Sequence, residues 1–234
     1  MQIIKTSSYS ELSERAGEIV IDAIKKNPNL VLGLATGSTP LGLYKMLIEA
    51  NKRGEIDFSN VKTFNLDEYQ GLEKDNPQSY HFFMNENLFS KINIKKENIH
   101  ILGDAGKEPS EECYIYEGEI KKAGGIDLQI LGIGGNGHIA FNEPGSPKDS
   151  RTRLIKLDEK TRQDNARFFK STDEVPKYAY TMGIGTILEA KELILLAGKN
   201  KKEIMEKTIN GEVSEEVPAS FLKNHPQCTF VIEE

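Results

Sequence analysis

The sequence predicts an α/β fold: a mostly parallel central sheet with helices on both faces, three layers in all. Three observations carry that expectation. Short apolar runs of strand length recur along the 234 residues, and stretches with helical spacing of their apolar side chains alternate with them. No long linker, internal repeat or low-complexity segment interrupts the alternation. Alternating βα units imply parallel neighbours with covering helices, and a chain of this length can bury a full core as one domain, residues 1–234.

Each element has its own signal. Residues 9–26 set Leu12, Ala16, Ile19, Val20, Ala23 and Ile24 at helical spacing, and Asn27-Pro28 ends that helix. Residues 30–34 form a short apolar strand. Pro40 suits the first position of the next helix, continued by Leu43, Leu47 and Ile48, because its fixed φ fits and its missing N–H is not needed there. Residues 61–64, β-branched and aromatic, read as a strand running into a loop, NLDEYQGL. Asn76-Pro77 opens a helix in which Tyr80, Phe83 and Phe89 belong to the core and His81 is solvated or packed. Residues 109–123 are helical. Residues 125–133, GIDLQILGI, are near-continuously apolar, as expected of a central strand buried on both faces. A polar helix over residues 158–168 starts from an aspartate cap, Asp158. A strand at 193–197, a helix at 200–209 and a strand at 229–232 complete the series.

Composition narrows the partners. The net charge is -6 with acids and bases interspersed, so there is no basic stripe for nucleic acid. A negatively charged ligand must then be attracted by a few placed cations, against the sign of the whole molecule. Cys113 and Cys228 lie far apart without metal-ligand spacing and read as reduced thiols. No apolar run approaches membrane-spanning length, and MQIIKTSSYSELSERAG lacks the long apolar segment of a secretory signal. The expectation is a cytoplasmic protein with no membrane partner.

Polar residues collect where predicted strands end. Residues 134–145, GGNGHIAFNEPG, put His138 and Glu143 five residues apart in a segment too rich in glycine and proline for helix. Asp67 and Glu68 follow the strand at 61–64, and residues 36–39, TGST, lie between the strand at 30–34 and the helix after Pro40. Ligands of open α/β sheets bind at such carboxyl ends. Taken singly, a loop histidine is ordinarily solvated and a loop glutamate ordinarily a surface charge. Residues 36–39 have two readings: an ordinary helix cap made by Thr39, or a phosphate cradle of free backbone N–H groups beside the hydroxyls of Thr36, Ser38 and Thr39, with Gly37 turning the chain. Gly132, Gly134 and Gly137 spell G-x-G-x-x-G after a strand, but HIAFNEPGSP follows with two prolines and no amphipathic helix, which argues against a dinucleotide site.

At this point the sequence resembles the glucosamine-6-phosphate deaminase family. The resemblance runs through TGSTP, FNLDEYQGL, NPQSYHFFM, LGIGGNGHIAFNEPGS, SRTR, TRQDNARFF, VPKYAYTMGIGTILEA and GKNKK, in family order over nearly the whole chain. TGSTP alone is similar also to sugar-phosphate lactonases and isomerases. The resemblance implies a Rossmann-like three-layer sandwich and conversion of glucosamine 6-phosphate and water to fructose 6-phosphate and ammonia, with no cofactor and no metal. It implies that His138 moves protons in ring opening, that Glu143 is its acidic partner, and that Asp67 shuttles the proton from C2 to C1. A carboxylate suits the last task because it is unprotonated at neutral pH and can carry the same proton between adjacent carbons. Many members carry an aspartate two residues before the histidine; here Asn136 can orient but cannot offset charge. Glu68 reads as a structural acid.

The same resemblance implies Arg167 and Lys201 as phosphate ligands, with Lys199 and Lys202 as neighbours in the lysine run, and a mobile lid over about residues 153–175. Against longer, regulated members, the sequence ends at Glu234 without their carboxyl-terminal extension, and Ile155 stands where they carry an allosteric lysine. The expectation is little or no allosteric activation, with monomer or homo-oligomer left open. A lactonase or isomerase of the same fold and a non-catalytic sugar-phosphate sensor are the alternatives.

Overall fold

The computed structural model describes residues 1–103, 106–166, 169 and 171–234, and of residues 160, 164 and 165 the backbone alone. In chain order the elements are β1 (Gln2–Thr6), α1 (Tyr9–Lys26), β2 (Val31–Leu34), α2 (Leu41–Lys52), β3 (Lys62–Asn65), β4 (Asp67–Tyr69), α3 (Tyr80–Asn87), β5 (Ile99–His100), α4 (Pro109–Lys122), β6 (Leu128–Gly132), β7 (Arg153–Lys156), α5 (Glu159–Asn165), β8 (Tyr178–Thr181), α6 (Ile184–Leu188), β9 (Glu192–Ala197), α7 (Lys202–Asn210) and β10 (Cys228–Glu233). Seven strands form one sheet in the order β1-β10-β9-β6-β2-β3-β5, every pair parallel. The helices around it make the three-layer α/β sandwich that the sequence predicts.

The central strands are apolar because both faces are covered. β9, β10 and β6 are buried along almost their whole length, and α1 contributes Leu12, Ala16, Val20 and Ile24 to the same core. Between β2 and β6 the strand order reverses: the chain runs outward from β2 to β3 and β5, and outward the other way from β6 to β9 and β10. The carboxyl ends of β2 and β6 therefore flank the crevice where open α/β sheets bind ligands.

Three strands make a second, antiparallel sheet, β4-β8-β7. The sequence reading missed it, because DEY and RLIK are short and polar and show no strand period. Asp67 and Glu68 thus lie on a strand, not in the loop expected for them. β1 was missed for a related reason. It is an edge strand with most of its side chains exposed, so it carries no apolar run.

Other boundaries shift by a turn or less. α2 starts at Leu41 with Pro40 in the cap position, one residue later than predicted. α3 starts at Tyr80, because Ser79 Oγ caps it by accepting the Phe82 N–H at 3.0 Å, while Asn76 closes a turn before it by accepting the Ser79 N–H on its carbonyl. Phe89 falls beyond that helix and is buried all the same. His81 is packed, its Nε2 bonded to the Leu102 carbonyl at 3.0 Å. The polar helix is α5, and of its expected span residues 167 and 168 lie outside the described residues. Among the described residues no helix is long and apolar enough to cross a membrane.

Candidate active site

Four neighbouring strands of the large sheet, β3, β2, β6 and β9, point their carboxyl ends the same way. Asp67 follows β3, residues 36–39 follow β2, residues 134–145 follow β6 and Lys201 follows β9. Parallel register alone thus brings segments as far apart as residues 36 and 201 to one end of the sheet.

After β2, Gly37 turns the chain at φ +95, a conformation that side chains rarely adopt, and α2 begins without any side-chain cap. The ordinary-cap reading of Thr39 is therefore not what the structure has. Thr36 and Thr39 are half-buried, and Gly37 and Ser38 are exposed. The helix start is braced from α1 instead: the Tyr9 hydroxyl accepts the Gly42 N–H at 2.8 Å and faces the Ser38 and Thr39 carbonyls at 3.0 and 3.1 Å.

After β6 the chain folds back tightly on itself. The Gly134 N–H donates to the His138 carbonyl at 2.9 Å, and a Cβ on Gly134 would sit 2.1 Å from the imidazole, so only glycine allows the ring this close. Ala140 holds φ +52, an uncommon conformation for a residue with a side chain. What keeps it there is Asn142, fully buried, whose amide donates to the Ile139 and Met182 carbonyls at 3.0 and 2.8 Å and accepts from Arg153 Nη1 at 2.9 Å. Of the glycines in the G-x-G-x-x-G pattern, Gly134 admits the His138 ring, whereas Gly137 turns the chain at φ +89 against Val217 and Ile204, and no helix follows.

Three side chains of this loop form a relay. Asn136 Nδ2 lies 2.6 Å from Glu143 Oε2, and a carboxylate only accepts, so the amide nitrogen must face it. That leaves Asn136 Oδ1 to accept from His138, at 2.8 Å from Nδ1 and 3.2 Å from the backbone N. Nδ1 carries the proton, and Nε2 is left as the acceptor. Glu143 reaches the imidazole as well, its Oε2 3.5 Å from Nδ1, and Asn136 makes the shorter contact at 2.8 Å. Thr161 Oγ1, on α5, donates to the other oxygen, Oε1. Partial burial works against the charge of Glu143, but His138, Thr161 and Asn136 outweigh it and hold its pKa down at about 2.

The second candidate acid has the opposite surroundings. Asp67 is 7% exposed, and burial, with a smaller contribution from the charge of Glu68, raises its pKa to about 8. The phenols of Tyr80 and Tyr116 stay neutral, raised by burial and secondarily by nearby charges that include Asp67. Burial thus works against the charged form of Asp67 that a proton shuttle needs at neutral pH. Glu68 is the structural acid expected: its carboxylate accepts the backbone N–H groups of Tyr69, Tyr80 and His81 at 2.7 to 3.0 Å, capping α3. Burial raises its pKa to about 7 against those hydrogen bonds.

The two corners are tied together through β8. Asp67 pairs with Thr181, whose hydroxyl accepts the Phe141 N–H at 3.1 Å, and the Tyr69 and Phe141 rings sit 5.6 Å apart. Lys201 stands at the start of α7, half-buried, whereas Lys199 and Lys202 are exposed. Arg167 lies outside the described residues. Among the described residues no group of His, Cys, Asp and Glu is arranged to hold a metal ion. Sequence reasoning missed two participants. Thr161 meets Glu143 from a different element with no sequence signal, but Tyr9 had one, since it continues the Ser13, Ala16, Val20 face of α1 by one turn.

Residues 5–231 match the family described as glucosamine-6-phosphate isomerases/6-phosphogluconolactonase. The chain belongs to this family. Among its relatives, the glucosamine-6-phosphate deaminase of Thermoanaerobacter pseudethanolicus is 59% identical over all 234 residues and 92% of the relative's length. That of Clostridium botulinum, strain Alaska E43, is 51% identical over the whole chain and 94% of the relative. A solved structure of a monomeric glucosamine-6-phosphate deaminase matches with TM-score 0.97 at 46% identity, covering 100% of this chain and 98% of that one. The 6-phosphogluconolactonase of Thermotoga maritima, 22% identical with TM-score 0.78 over 100% and 99%, shares the fold.

Proposed function

We propose that this family member is a glucosamine-6-phosphate deaminase, a carbon–nitrogen hydrolase that converts glucosamine 6-phosphate and water to fructose 6-phosphate and ammonia in amino-sugar catabolism. The observation that carries the reading is the hydrogen-bonded set of His138, Asn136 and Glu143 beside the buried carboxyl of Asp67 at one end of the sheet, with donors favouring the charge of Glu143 and burial disfavouring that of Asp67. Residues 36–39, Lys201 and Arg167 hold the phosphate, lysine as a point charge and arginine as a fork. His138 Nε2 takes the proton from O1 and delivers one to O5, opening the ring, while Glu143 offsets the imidazolium through Asn136.

Asp67 then moves the proton from C2 to C1 through an enolamine, and water replaces nitrogen at C2. It must be ionised to begin. The substrate's ammonium group at C2 favours that ionisation when it binds next to a buried carboxyl. Residues 153–175 form a lid that carries Arg167 over the bound sugar, on one domain spanning residues 1–234. A phosphorylated sugar substrate fits a cytoplasmic enzyme with no nucleic-acid or membrane partner.

Purified protein with glucosamine 6-phosphate, and no added cofactor or metal, should release ammonia and fructose 6-phosphate in equal amounts. Hydrolysis of 6-phosphogluconolactone without ammonia release would assign the chain to the lactonases instead. Binding with no turnover of either compound would make it a sensor.

A further inference from the structure

We infer that Thr161 is a positioning residue for ring opening: its hydroxyl fixes the carboxylate of Glu143, and through Asn136 the imidazole of His138, so the relay is fully aligned only when α5 is seated. The inference rests on the proposed role of His138 and Glu143. His138, Asn136 and Glu143 all belong to the loop of residues 136–143, and nothing within that loop fixes both carboxylate oxygens. Asn136 engages Oε2 and Thr161 engages Oε1 from a helix 18 residues further on.

Thr161 is 7% exposed on a helix whose neighbours Glu159 and Gln163 are exposed, so its burial is not that of a surface threonine. Arg162 seats the same helix. Its Nη2 donates to the Thr172 and Val175 carbonyls at 2.9 and 3.1 Å, and its Nη1 pairs with Glu159 at 2.9 Å. Val175 belongs to the apolar cluster of Tyr69, Phe141, Leu157 and Ala179, so α5 is held against the wall that Tyr69 and Phe141 share. Losing the hydroxyl would leave Oε1 half-buried with its partner gone, free to turn Oε2 away from Asn136.

The test compares Thr161→Val, which keeps the shape, Thr161→Ser, which keeps the hydroxyl, Glu143→Gln and the Thr161→Val/Glu143→Gln double variant. Ammonia release at saturating and limiting glucosamine 6-phosphate separates kcat from KM. Thr161→Val should lower kcat about tenfold, the scale of one hydrogen bond to a charged group, with KM changed less than about threefold. Thr161→Ser should recover parental kcat to within about twofold, and Thr161→Val should add less than about twofold to the loss already present in Glu143→Gln. Melting temperatures check that each variant folds, with Thr161→Ala as the replacement if valine does not. Parental kcat in the folded Thr161→Val variant would overturn the inference, as would its full tenfold effect in the Glu143→Gln background. Parental turnover in Glu143→Gln alone would overturn the relay itself, and that failure is recognisable because Thr161 is untouched.

Discussion

Two carboxyl groups at one end of the sheet are driven in opposite directions by their surroundings. Glu143 keeps a fifth of its side chain exposed and faces three donors, and its charge is held at any working pH. Asp67, on a buried strand in aromatic surroundings, has its charge disfavoured up to about 8. The comparison shows that the same functional group has its charge favoured or disfavoured according to whether donors or apolar walls reach it first. On the proposed mechanism the polar corner serves as a counter-charge, and the apolar corner gains its charge more readily beside the substrate's ammonium.

The largest expected effect comes from breaking the apolar corner. Asp67→Asn should lower kcat by roughly 10² to 10⁴, the usual cost of losing a positioned base, and solvent exchange of the C2 hydrogen should fall with it. Retained exchange would pass the base role to another group. In the parent, kcat/KM reports the free enzyme, so its acid limb should lie near 8, and the limb in kcat should lie at lower pH because bound ammonium favours the charged form. Coincident limbs would mean that the substrate does not ionise Asp67.

Next in size are the cations proposed to hold the phosphate. Lys201→Ala and Arg167→Ala should each lower kcat/KM by roughly 10- to 100-fold, since a hydrogen bond to a charged group contributes about 1.5 to 3 kcal/mol. Discrimination between glucosamine 6-phosphate and unphosphorylated glucosamine should shrink by the same factor. Undiminished discrimination in the Lys201 variant would move that role to Lys199 or Lys202.

A stability measurement sharpens the comparison further. The folded pKa of Asp67, about 8, lies above the ordinary 3.8, so its contribution to stability is fully present below about 3.8 and is lost as pH rises through 8. The melting temperature of Asp67→Asn should therefore overtake that of the parent as pH rises from 4 to 8. Above that the gap should level off, at about 2 to 4 °C for each kcal/mol of relief. A pH-independent gap would show that Asp67 is not protonated in the folded state.

The smallest effect concerns the polar corner. Asn136→Asp sets a second carboxylate within hydrogen-bonding distance of Glu143, where the two must share a proton, and kcat should change only by a few-fold because the geometry survives. An added titration in the kcat profile should mark the shared proton. Its absence, together with a large loss of kcat, would indicate that the amide nitrogen of Asn136 has a role of its own.

The division between what sequence revealed and what it hid follows the same line. The large sheet was legible because strands buried on both faces are near-continuously apolar, as GIDLQILGI and ELILLA are. The site loops were legible because glycines and prolines exclude helix around His138 and Glu143, and because TGSTP sits between a strand and a helix. The small antiparallel sheet was not, since DEY and RLIK are too short to show a period, and so the strand that buries Asp67 and raises its pKa went unseen. The Thr161 contact was hidden for another reason. A hydrogen bond between two elements leaves no periodic trace, and a threonine in a polar helix looks like any other.

β1 and β10 pair side by side from Gln2 with Thr229 to Thr6 with Glu233, and the Thr6 hydroxyl donates to the Ile232 carbonyl. Gln2–Thr6 therefore has no strand partner on this edge until the chain has grown past Cys228–Glu233. At ordinary elongation rates of about 5 to 20 residues per second, that wait is on the order of tens of seconds. During it the strand that leads into α1, and so to the Tyr9 brace on residues 36–39, is unpaired. In pulse-labelled refolding the amides of Gln2–Thr6 should therefore gain protection together with those of Cys228–Glu233.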